Sequence, residues 1–236
     1  MGGDTYDFGA GDSLLITADV PTVSQITRAN AAAPYYSLMV QLDPAVIATL
    51  VDEIGPAPFR AGRPVRVDPT EAEVADAAQR LMRLIDRPAS LAVLQGQLMR
   101  ELHFWLLSGH HGGAVRALGV ADSHVQRIGR AVVFIREHYA ELLSVEQLAS
   151  AANMGISSFH AHFRAVTSLT PLQFQKQIRL IEARRMMMTE GMPISNAAYA
   201  VGYESIPQFT REFGRLFGQP PAREVRLARS QVRSSA

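Results

Sequence analysis

The pattern of apolar and polar positions divides the chain into a strand-like beginning and a longer helical remainder. Over roughly the first 43 residues apolar side chains alternate with polar ones, most strictly from Tyr36 to Leu42, which predicts β-strands. The run Leu14-Leu15-Ile16 follows a glycine-rich turn and predicts another strand. From Pro44 to Ile54 the spacing becomes helical, and the Gly/Pro-rich stretch 55–64 predicts an irregular connection.

Three further apolar repeats predict longer helices. The first begins after Asp68-Pro69-Thr70 and ends before Pro88, and the second runs from about Ser90 to Ser108. Glycines at 109–113 predict a break, and a hinge near 119–123 precedes the third helix. The apolar faces are, in turn, Val74, Ala78, Leu81 and Ile85; Leu91, Leu94, Leu98, Leu102 and Trp105; and Val125, Ile128, Val132 and Ile135.

Residues 144–167 have the pattern of two short helices joined by a tight turn. A capping box begins at Ser144, and the turn residues 153–155 tolerate a positive φ. A second helix then begins at Ser157 or Ser158, which together predicts a helix-turn-helix. The buried positions are Leu148, Ala149 and Ala152 on the first helix and Phe159, Phe163 and Val166 on the second, with His160, Ala161 and Arg164 facing outward.

The same pattern returns fifty residues later, over residues 193–217. Ala198 and Val201 take the places of Ala149 and Ala152, and Gly202 supplies the turn. This repetition predicts a second helix-turn-helix. A capping box pairs Ser205 with Gln208; Phe209, Phe213 and Phe217 form the buried stripe, spaced as Phe159, Phe163 and Thr167 are; and Pro207, Thr210, Arg211 and Arg215 face outward.

A long helix is predicted between the two motifs, at 171–190. Thr170-Pro171 gives a start signal with proline at the first helical position, and Gly191 gives a stop. Twenty residues at 1.5 Å each span about 30 Å, close to the ~34 Å of one turn of B-DNA. Such a spacer would let both second helices enter successive major grooves of one duplex.

Composition limits the classes of protein that this chain can represent. The 236 residues include no cysteine, no run of eighteen apolar residues and no signal-peptide pattern, which excludes disulfides and favours the cytoplasm without a membrane partner. The net charge of +1 hides an asymmetry. Residues 1–121 carry 9 Lys/Arg against 13 Asp/Glu, and residues 122–236 carry 14 against 9, so the C-terminal half is the part expected to meet a polyanion.

The two motifs and their spacer resemble the DNA-binding domain of the AraC/XylS family over residues 125–227. Residues 5–110 are similar, less distinctively, to the sensing region of one branch of that family, a cupin-like β-sandwich followed by helices. The resemblance is carried by Leu148-Ala149, Phe163-Arg164, Thr170-Pro171, Ala183-Arg184, Ile194, Ala197-Ala198, Val201-Gly202-Tyr203, Phe209, Arg211, Phe213 and Phe217-Gly218-Gln219-Pro220-Pro221.

The resemblance implies an α+β protein with two domains. Residues 1–121 would hold a partial cupin-like β-sandwich with accessory helices. Residues 122–236 would form an all-α domain, with the two helix-turn-helix motifs joined by the long helix. Sensing regions of this family are usually longer at their start, so we expect a truncated chain, a misassigned start or a reduced sandwich.

The resemblance also implies a function, namely sequence-specific binding of double-stranded promoter DNA and activation of transcription in response to a small-molecule effector. RNA polymerase and a second copy of the chain are further expected partners, and no catalysis, metal or cofactor is expected. Arg211 suits bidentate recognition of guanine, whereas Arg164 and Arg215 suit phosphates. The expected DNA-contacting residues are Ser157, His160, Ala161, Arg164, Pro207, Gln208, Thr210, Arg211 and Arg215.

Three alternatives remain open from the sequence. Gly11-Asp12-Ser13-Leu14 spells the nucleophile motif of an esterase class, which would require an oxyanion hole and a distant Asp/His pair. His103, His110 and His111 could ligate a metal, although histidines at a helix end more often interact with the helix dipole. The chain could also be a DNA-binding module without a working sensor.

Overall fold

The fold is that of a computed structural model, which describes residues 5–24, 26–30, 32–55, 65–120 and 122–234, with side chains up to Leu227. These residues form two compact units, one of 6–18 and 24–126, the other of 19–23 and 127 onward. In chain order the elements are β1 (Asp12–Ile16), α1 (Pro44–Ile54), β2 (Val65–Pro69), α2 (Ala72–Arg83), α3 (Pro88–Ser108), α4 (Gly112–Gly119), α5 (His124–Glu137), α6 (Val145–Ala151), α7 (Ile156–Thr167), α8 (Pro171–Thr189), α9 (Ile194–Ala200), α10 (Ile206–Phe217) and α11 (Pro221–Ser234).

The sheet of the first unit is an antiparallel pair in which Leu14 of β1 lies opposite Val67 of β2. The structure confirms the strand predicted at 14–16. β2 was missed because its alternating Val65 and Val67 directly follow the Gly/Pro-rich stretch. Within the described ranges the sheet has these two strands, so a cupin-like β-sandwich is not confirmed and the unit is mostly helical.

The strand predicted from Tyr36 to Leu42 is wrong, because this segment is irregular and largely exposed. Tyr36 is 85% exposed and Met39 is 93% exposed. A strand needs a neighbour to satisfy its backbone hydrogen bonds and a surface to cover one face. Among the described residues, the nearest β-pairing is an isolated bridge between Asn30 and Ala33. The alternating pattern therefore did not produce a strand here, because the described residues offer this segment no partner strand.

The helices of the first unit begin and end close to their predicted positions, but their buried faces differ from the prediction. α1 matches the predicted range, and α3 begins at Pro88 rather than Ser90. Leu102 is buried as expected, whereas Ile85 is 60% exposed. On α2 the buried position is Ala77 instead. A short helix can turn any of several apolar residues toward its neighbour, so tertiary packing decides which face is buried.

The break predicted near Gly109 and the connection predicted near 119–123 are confirmed, because α3 ends at Ser108 and α5 begins at His124. The short helix α4 between them was not predicted. Val115 of α4 is fully buried and packs with Ile47 of α1 in the core of this unit. A Cβ on Gly119 would lie 2.6 Å from Ile47 Cγ2 and 2.8 Å from the backbone nitrogen of Ala48. Glycine at the end of α4 thus allows this helix to approach α1 closely.

The second unit has two separate cores that share the long helix α8. Phe174 and Ile178 belong to the first core, with buried residues of α5, α6 and α7. Leu180 and Ala183 belong to the second core, with residues of α9 and α10. The structure confirms the helix predicted at 171–190, and also confirms Ile128, Val132 and Ile135 as buried positions of α5.

Candidate nucleic-acid interface

Helices α6 and α7 form the first predicted helix-turn-helix. The predicted capping box is confirmed, since Ser144 Oγ accepts the backbone N–H of Gln147 while Gln147 Oε1 accepts the N–H of Ser144 at 2.8 Å. Asn153 in the turn has φ +52°, a conformation that asparagine tolerates. The helix start predicted at Ser157 or Ser158 is wrong, because extended Gly155 is the N-cap and Ser157 already lies in the first turn.

Helix α7 has a buried aromatic side and an exposed polar side. Phe159 and Phe163 are fully buried with ring centroids 5.3 Å apart, and Phe163 meets Phe174 of α8 edge-on at 5.6 Å. Two inward residues four positions apart fix the rotation of a helix about its axis. The expected DNA-contacting residues Ser157, His160, Ala161 and Arg164 are therefore brought together on the exposed side.

Helices α9 and α10 form the second predicted helix-turn-helix. Gly202 in the turn has φ +85°, and a Cβ there would lie 2.1 Å from the carbonyl oxygen of Ala140, so only glycine fits. Ser205 caps α10 by accepting the backbone N–H of Gln208 at 3.4 Å. The other half of the predicted capping box is wrong, because the Gln208 side chain extends forward to Glu212 instead of back to the cap.

Helix α10 repeats the two sides of α7. Phe209 and Phe213 are fully buried, with ring centroids 5.5 Å apart. Phe217, predicted as a third buried anchor, is only half-buried near the end of the helix, where the guanidinium of Arg184 covers its ring at 5.2 Å. Of the expected DNA-contacting residues, Pro207, Arg211 and Arg215 are exposed, and Gln208 and Thr210 are half-buried at the edge of the same side.

A carboxylate network joins the exposed side of α10 to α8. Glu212 Oε1 accepts hydrogen bonds from Lys176 Nζ at 2.9 Å and Gln208 Nε2 at 3.2 Å, and its Oε2 accepts one from the Tyr203 hydroxyl at 2.7 Å. Burial alone would raise the pKa of Glu212, but the hydrogen bonds from Lys176, Tyr203 and Gln208 outweigh it and lower the pKa. For Tyr203, burial and the neighbouring carboxylate raise the pKa of the phenol.

Arg179 of α8 connects the two helix-turn-helix motifs through backbone carbonyl groups. It donates to the oxygen of Tyr139 at 2.6 Å and of Glu141 at 2.8 Å, both just before the first motif. It also donates to the oxygen of Gly202, in the turn of the second motif, at 2.9 Å. Burial lowers the pKa of this guanidinium. The role of Arg179 was not predicted, because its only local signal in the sequence is a charged residue among the apolar positions of α8.

Ser13 and His103, the residues on which the esterase and metal alternatives depend, form hydrogen bonds with other groups of the first unit. Ser13 Oγ lies 2.7 Å from the hydroxyl of Thr70, whereas a nucleophile requires a neighbouring base. His103 is fully buried; its Nε2 accepts the N–H of Asp43 at 2.9 Å, so its Nδ1 donates to the carbonyl oxygen of Met99 at 2.6 Å. Both ring nitrogens are thus committed to backbone groups.

The other two histidines of this region lie against carboxylates. His110 Nδ1 lies 2.6 Å from Glu71, and the hydrogen bond from the backbone N–H of His110 is the main reason that the pKa of Glu71 is lowered. His111 Nε2 lies 3.6 Å from Asp68. Over the described part of the chain, no group of three or more ligating side chains could hold a metal ion, and no helix is long and apolar enough to cross a membrane.

Both halves of the chain are similar to known protein families. A family model described as the AraC-type transcriptional regulator N-terminus matches residues 1–114, and a model of a helix-turn-helix domain matches residues 148–226. The second match covers both motifs built by α6, α7, α9 and α10. The first model describes transcriptional regulators and the second a helix-turn-helix domain, which argues against the esterase alternative.

Curated relatives agree with these matches. The probable transcriptional regulator LumQ of Photobacterium leiognathi is 30% identical over 43% of this chain and 42% of its own length. The transcriptional activator RhaS of Escherichia fergusonii is 27% identical over 44% of this chain and 37% of its own. The thermoregulatory protein LcrF of Yersinia pestis is 23% identical over 96% of this chain and 84% of its own.

The LumQ and RhaS alignments span about two fifths of the length of those relatives, whereas the LcrF alignment spans nearly the whole chain. The match to the AraC-type N-terminus lies before the match to the helix-turn-helix domain, and together the two cover most of the chain. With the paired motifs built on one shared helix, these matches show that the chain belongs to the AraC family of transcriptional regulators.

Proposed function

We propose that the protein binds promoter DNA sequence-specifically and activates transcription in response to a small-molecule effector. The observation that carries the proposal is the pair of helices α7 and α10, each anchored by two buried phenylalanines and each exposing a polar side. In helix-turn-helix proteins the second helix enters the major groove and contacts base edges. Because both helices pack against α8, one duplex can engage both.

The length of α8 supports this proposal. Its 19 residues span about 28 Å at 1.5 Å per residue, near the ~34 Å of one turn of B-DNA. Charge supports it as well, because residues 122–236 carry 14 Lys/Arg against 9 Asp/Glu. A positive balance attracts the phosphate backbone and makes binding weaken with salt.

The proposed contacts divide into base readers and phosphate binders. Exposed Arg211 on α10 would bind a guanine through its forked donors. Exposed Arg164 and Arg215, toward the ends of their helices, would bind phosphates. The remaining proposed contacts are Ser157, His160 and Ala161 on α7 and Pro207, Gln208 and Thr210 on α10.

The regulatory part of the proposal concerns residues 1–121 and the partners. The match of residues 1–114 to an AraC-type N-terminus supports an effector-responsive region, and RhaS, described as an activator, supports the sign of regulation. Activation implies contact with RNA polymerase. A second copy of the chain would let one DNA site bind four recognition helices, namely α7 and α10 of each copy. This work would take place in the cytoplasm, where bacterial promoters are.

Selection from a randomised duplex library, followed by fluorescence anisotropy on the selected site, tests DNA recognition. We expect Arg211→Ala to weaken binding of the selected site roughly 5- to 100-fold, the size of one lost bidentate contact. The matched control is Arg185→Ala, which removes the same charge from an exposed position where Glu182 and Glu190 already pair with the guanidinium. Failure of the full chain to select any sequence would overturn the proposal.

One observation favours a second candidate, a DNA-binding module that acts without a sensor. The described part of residues 1–121 contains a two-stranded sheet rather than a sandwich. A promoter reporter decides between the two functions. An effector-responsive protein loses regulation when residues 1–121 are deleted, whereas a constitutive module activates equally with and without them.

A further inference from the structure

The edge of the second recognition helix carries a carboxylate where DNA would be expected to disfavour one. Glu212 lies one helical turn after Gln208 on the same side of α10, and its side chain is 16% exposed. A phosphate backbone repels a carboxylate, so a glutamate at this edge is expected to be compensated locally. The compensation is Lys176 of α8, whose ammonium group binds Glu212 Oε1 at 2.9 Å.

Two donors hold the Glu212 carboxylate independently of Gln208. Lys176 binds Oε1, and the hydroxyl of the buried Tyr203 binds Oε2 at 2.7 Å. Each oxygen therefore has a fixed partner on α8 or on the loop before α10. The oxygen that accepts from Gln208 is Oε1, which Lys176 holds, so the ionised acceptor for Gln208 does not depend on the contact of Tyr203 with Oε2.

This acceptor decides which way the amide group of Gln208 is turned. An ionised carboxylate accepts hydrogen bonds and cannot donate one, so it binds the amide nitrogen and repels the amide oxygen. The contact is indeed between Gln208 Nε2 and Glu212 Oε1, at 3.2 Å. The backbone of Gln208 is fixed as well, since its N–H binds the cap oxygen of Ser205.

An amide held in this way keeps its oxygen and its second N–H for another partner. That combination of one acceptor and one donor is the edge by which glutamine binds N6 and N7 of adenine. A half-buried side chain that is already ordered also loses less conformational entropy when it binds. We infer that Gln208 reads an adenine in the second half of the DNA site and that Glu212 is the positioning residue that orients it. This inference rests on the proposed function.

The test compares the base preferences of full-length variants selected on randomised duplexes. The wild-type chain should prefer adenine at one position of the second half-site, and Gln208→Ala should lose that preference. Glu212→Ala should reduce it from roughly tenfold to about two- or threefold, although Gln208 is unchanged. Glu212→Gln should largely retain it, because an amide oxygen can still accept from Gln208.

A matched control separates orientation of Gln208 from general support of the helix. Tyr203→Phe removes the hydrogen bond to Glu212 Oε2 but leaves the Oε1 contacts, so it should lower the melting temperature and keep the adenine preference. An equal loss of preference in Tyr203→Phe and Glu212→Ala would overturn the inference, as would an unchanged preference in Glu212→Ala. A wild-type chain that selects a sequence with no Gln208-dependent adenine would overturn this inference alone. No selected sequence at all would overturn the proposed function too.

Discussion

Two phenylalanines in each recognition helix decide which side chains can reach DNA. Phe159 and Phe163 repeat as Phe209 and Phe213, and all four are fully buried. Their spacing of four residues fixes the rotation of each helix, so His160 on α7 and Arg211 on α10 face outward. Burial of these four phenylalanines thus determines which side chains of α7 and α10 are exposed.

Truncation of either central anchor should strongly destabilise the protein. We expect Phe163→Ala and Phe213→Ala each to lower the free energy of unfolding by roughly 3–5 kcal/mol, because each leaves a cavity the size of a phenyl ring. Leu142→Ala is the control, since Leu142 is 91% exposed and its loss should change stability by less than about 0.5 kcal/mol. Urea denaturation followed by circular dichroism measures both, and an unchanged midpoint in either Phe variant would contradict the assigned core.

The two recognition helices should differ in base specificity. Arg211 follows Phe209 by two residues, whereas the equivalent position after Phe159 is Ala161. The methyl group of alanine can touch thymine but cannot form two hydrogen bonds with a base. A bidentate pair of that kind discriminates against the wrong base by about 1–3 kcal/mol. Arg211→Ala should therefore relax the preference in one half-site, and Ala161→Ser should change little. Equal information content in the two half-sites of the selected sequences would count against this asymmetry.

Glu212 should make stability depend on pH on the acidic side. Its pKa is lowered in the folded protein, because the hydrogen bonds from Lys176, Tyr203 and Gln208 outweigh the effect of burial. The folded state therefore favours the ionised form, and this stabilisation is present above the unfolded pKa of about 4.3 and lost as pH falls through the folded pKa. Glu212→Gln should flatten the decline of the unfolding free energy between about pH 5 and pH 3. An identical decline in the variant and the parent would show that Glu212 is not responsible.

At the scale of elements, α8 is the part on which both motifs depend. It supplies Phe174 and Ile178 to one core and Leu180 and Ala183 to the other, so it is buried on several sides. Arg179 lies between these two sets and binds backbone oxygens from both motifs. Both motifs therefore depend on α8 for packing, and Tyr139 is a second residue that packs against both cores.

Removal of the Arg179 guanidinium should therefore damage both motifs together. Arg179→Met removes the donor to the carbonyl oxygen of Gly202, whereas the oxygens of Tyr139 and Glu141 keep a hydrogen bond from Gln175 Nε2. We therefore expect a loss of roughly 1–3 kcal/mol. Arg185→Met on the exposed side of the same helix is the matched control and should change stability by at most about 1 kcal/mol. Thermal and urea denaturation of both variants provide the measurement. Equal stabilities of the two variants would contradict this role for Arg179.

At the scale of the whole molecule, charge and packing divide the chain at nearly the same place. The basic half begins near residue 122, and the second compact unit takes the chain from Arg127 onward together with residues 19–23. Asp19 from that short segment pairs with Arg136 of α5, its carboxylate lying 2.7 Å from Arg136 Nε. Both side chains are substantially exposed, so the pair should contribute about 0–1 kcal/mol.

An isolated fragment of residues 122–236 should consequently fold and bind DNA. Both cores of α5 to α10 lie within it, and the loss of Asp19 removes one exposed ion pair. Binding should weaken steeply with salt, because arginines displace counterions from several phosphates. Anisotropy between 50 and 200 mM salt tests this on the selected duplex. A fragment that is helical by circular dichroism but shows no salt-dependent binding would refute the prediction.

The sequence by itself determined the helix-turn-helix motifs, because their signals are local. The capping residues Ser144 and Ser205, the turn residues Asn153 and Gly202 and the phenylalanine spacing each act within a few residues of the chain. Local hydrogen bonds and steric limits on φ need no distant partner, so sequence patterns report them faithfully. The long helix at 171–190 was predictable for the same reason.

Tertiary structure alone decided the features that depend on distant partners. The alternating segment 36–42 has no neighbouring strand in the described part of the chain and is irregular. Gly119 lies at the end of a helix and packs closely against α1. The roles of Arg179 and Glu212 depend on carbonyl and side-chain groups that lie up to 40 residues away in the chain. Such contacts leave no periodic trace in the sequence, because the free energy of a buried polar group depends on which partners the fold brings to it.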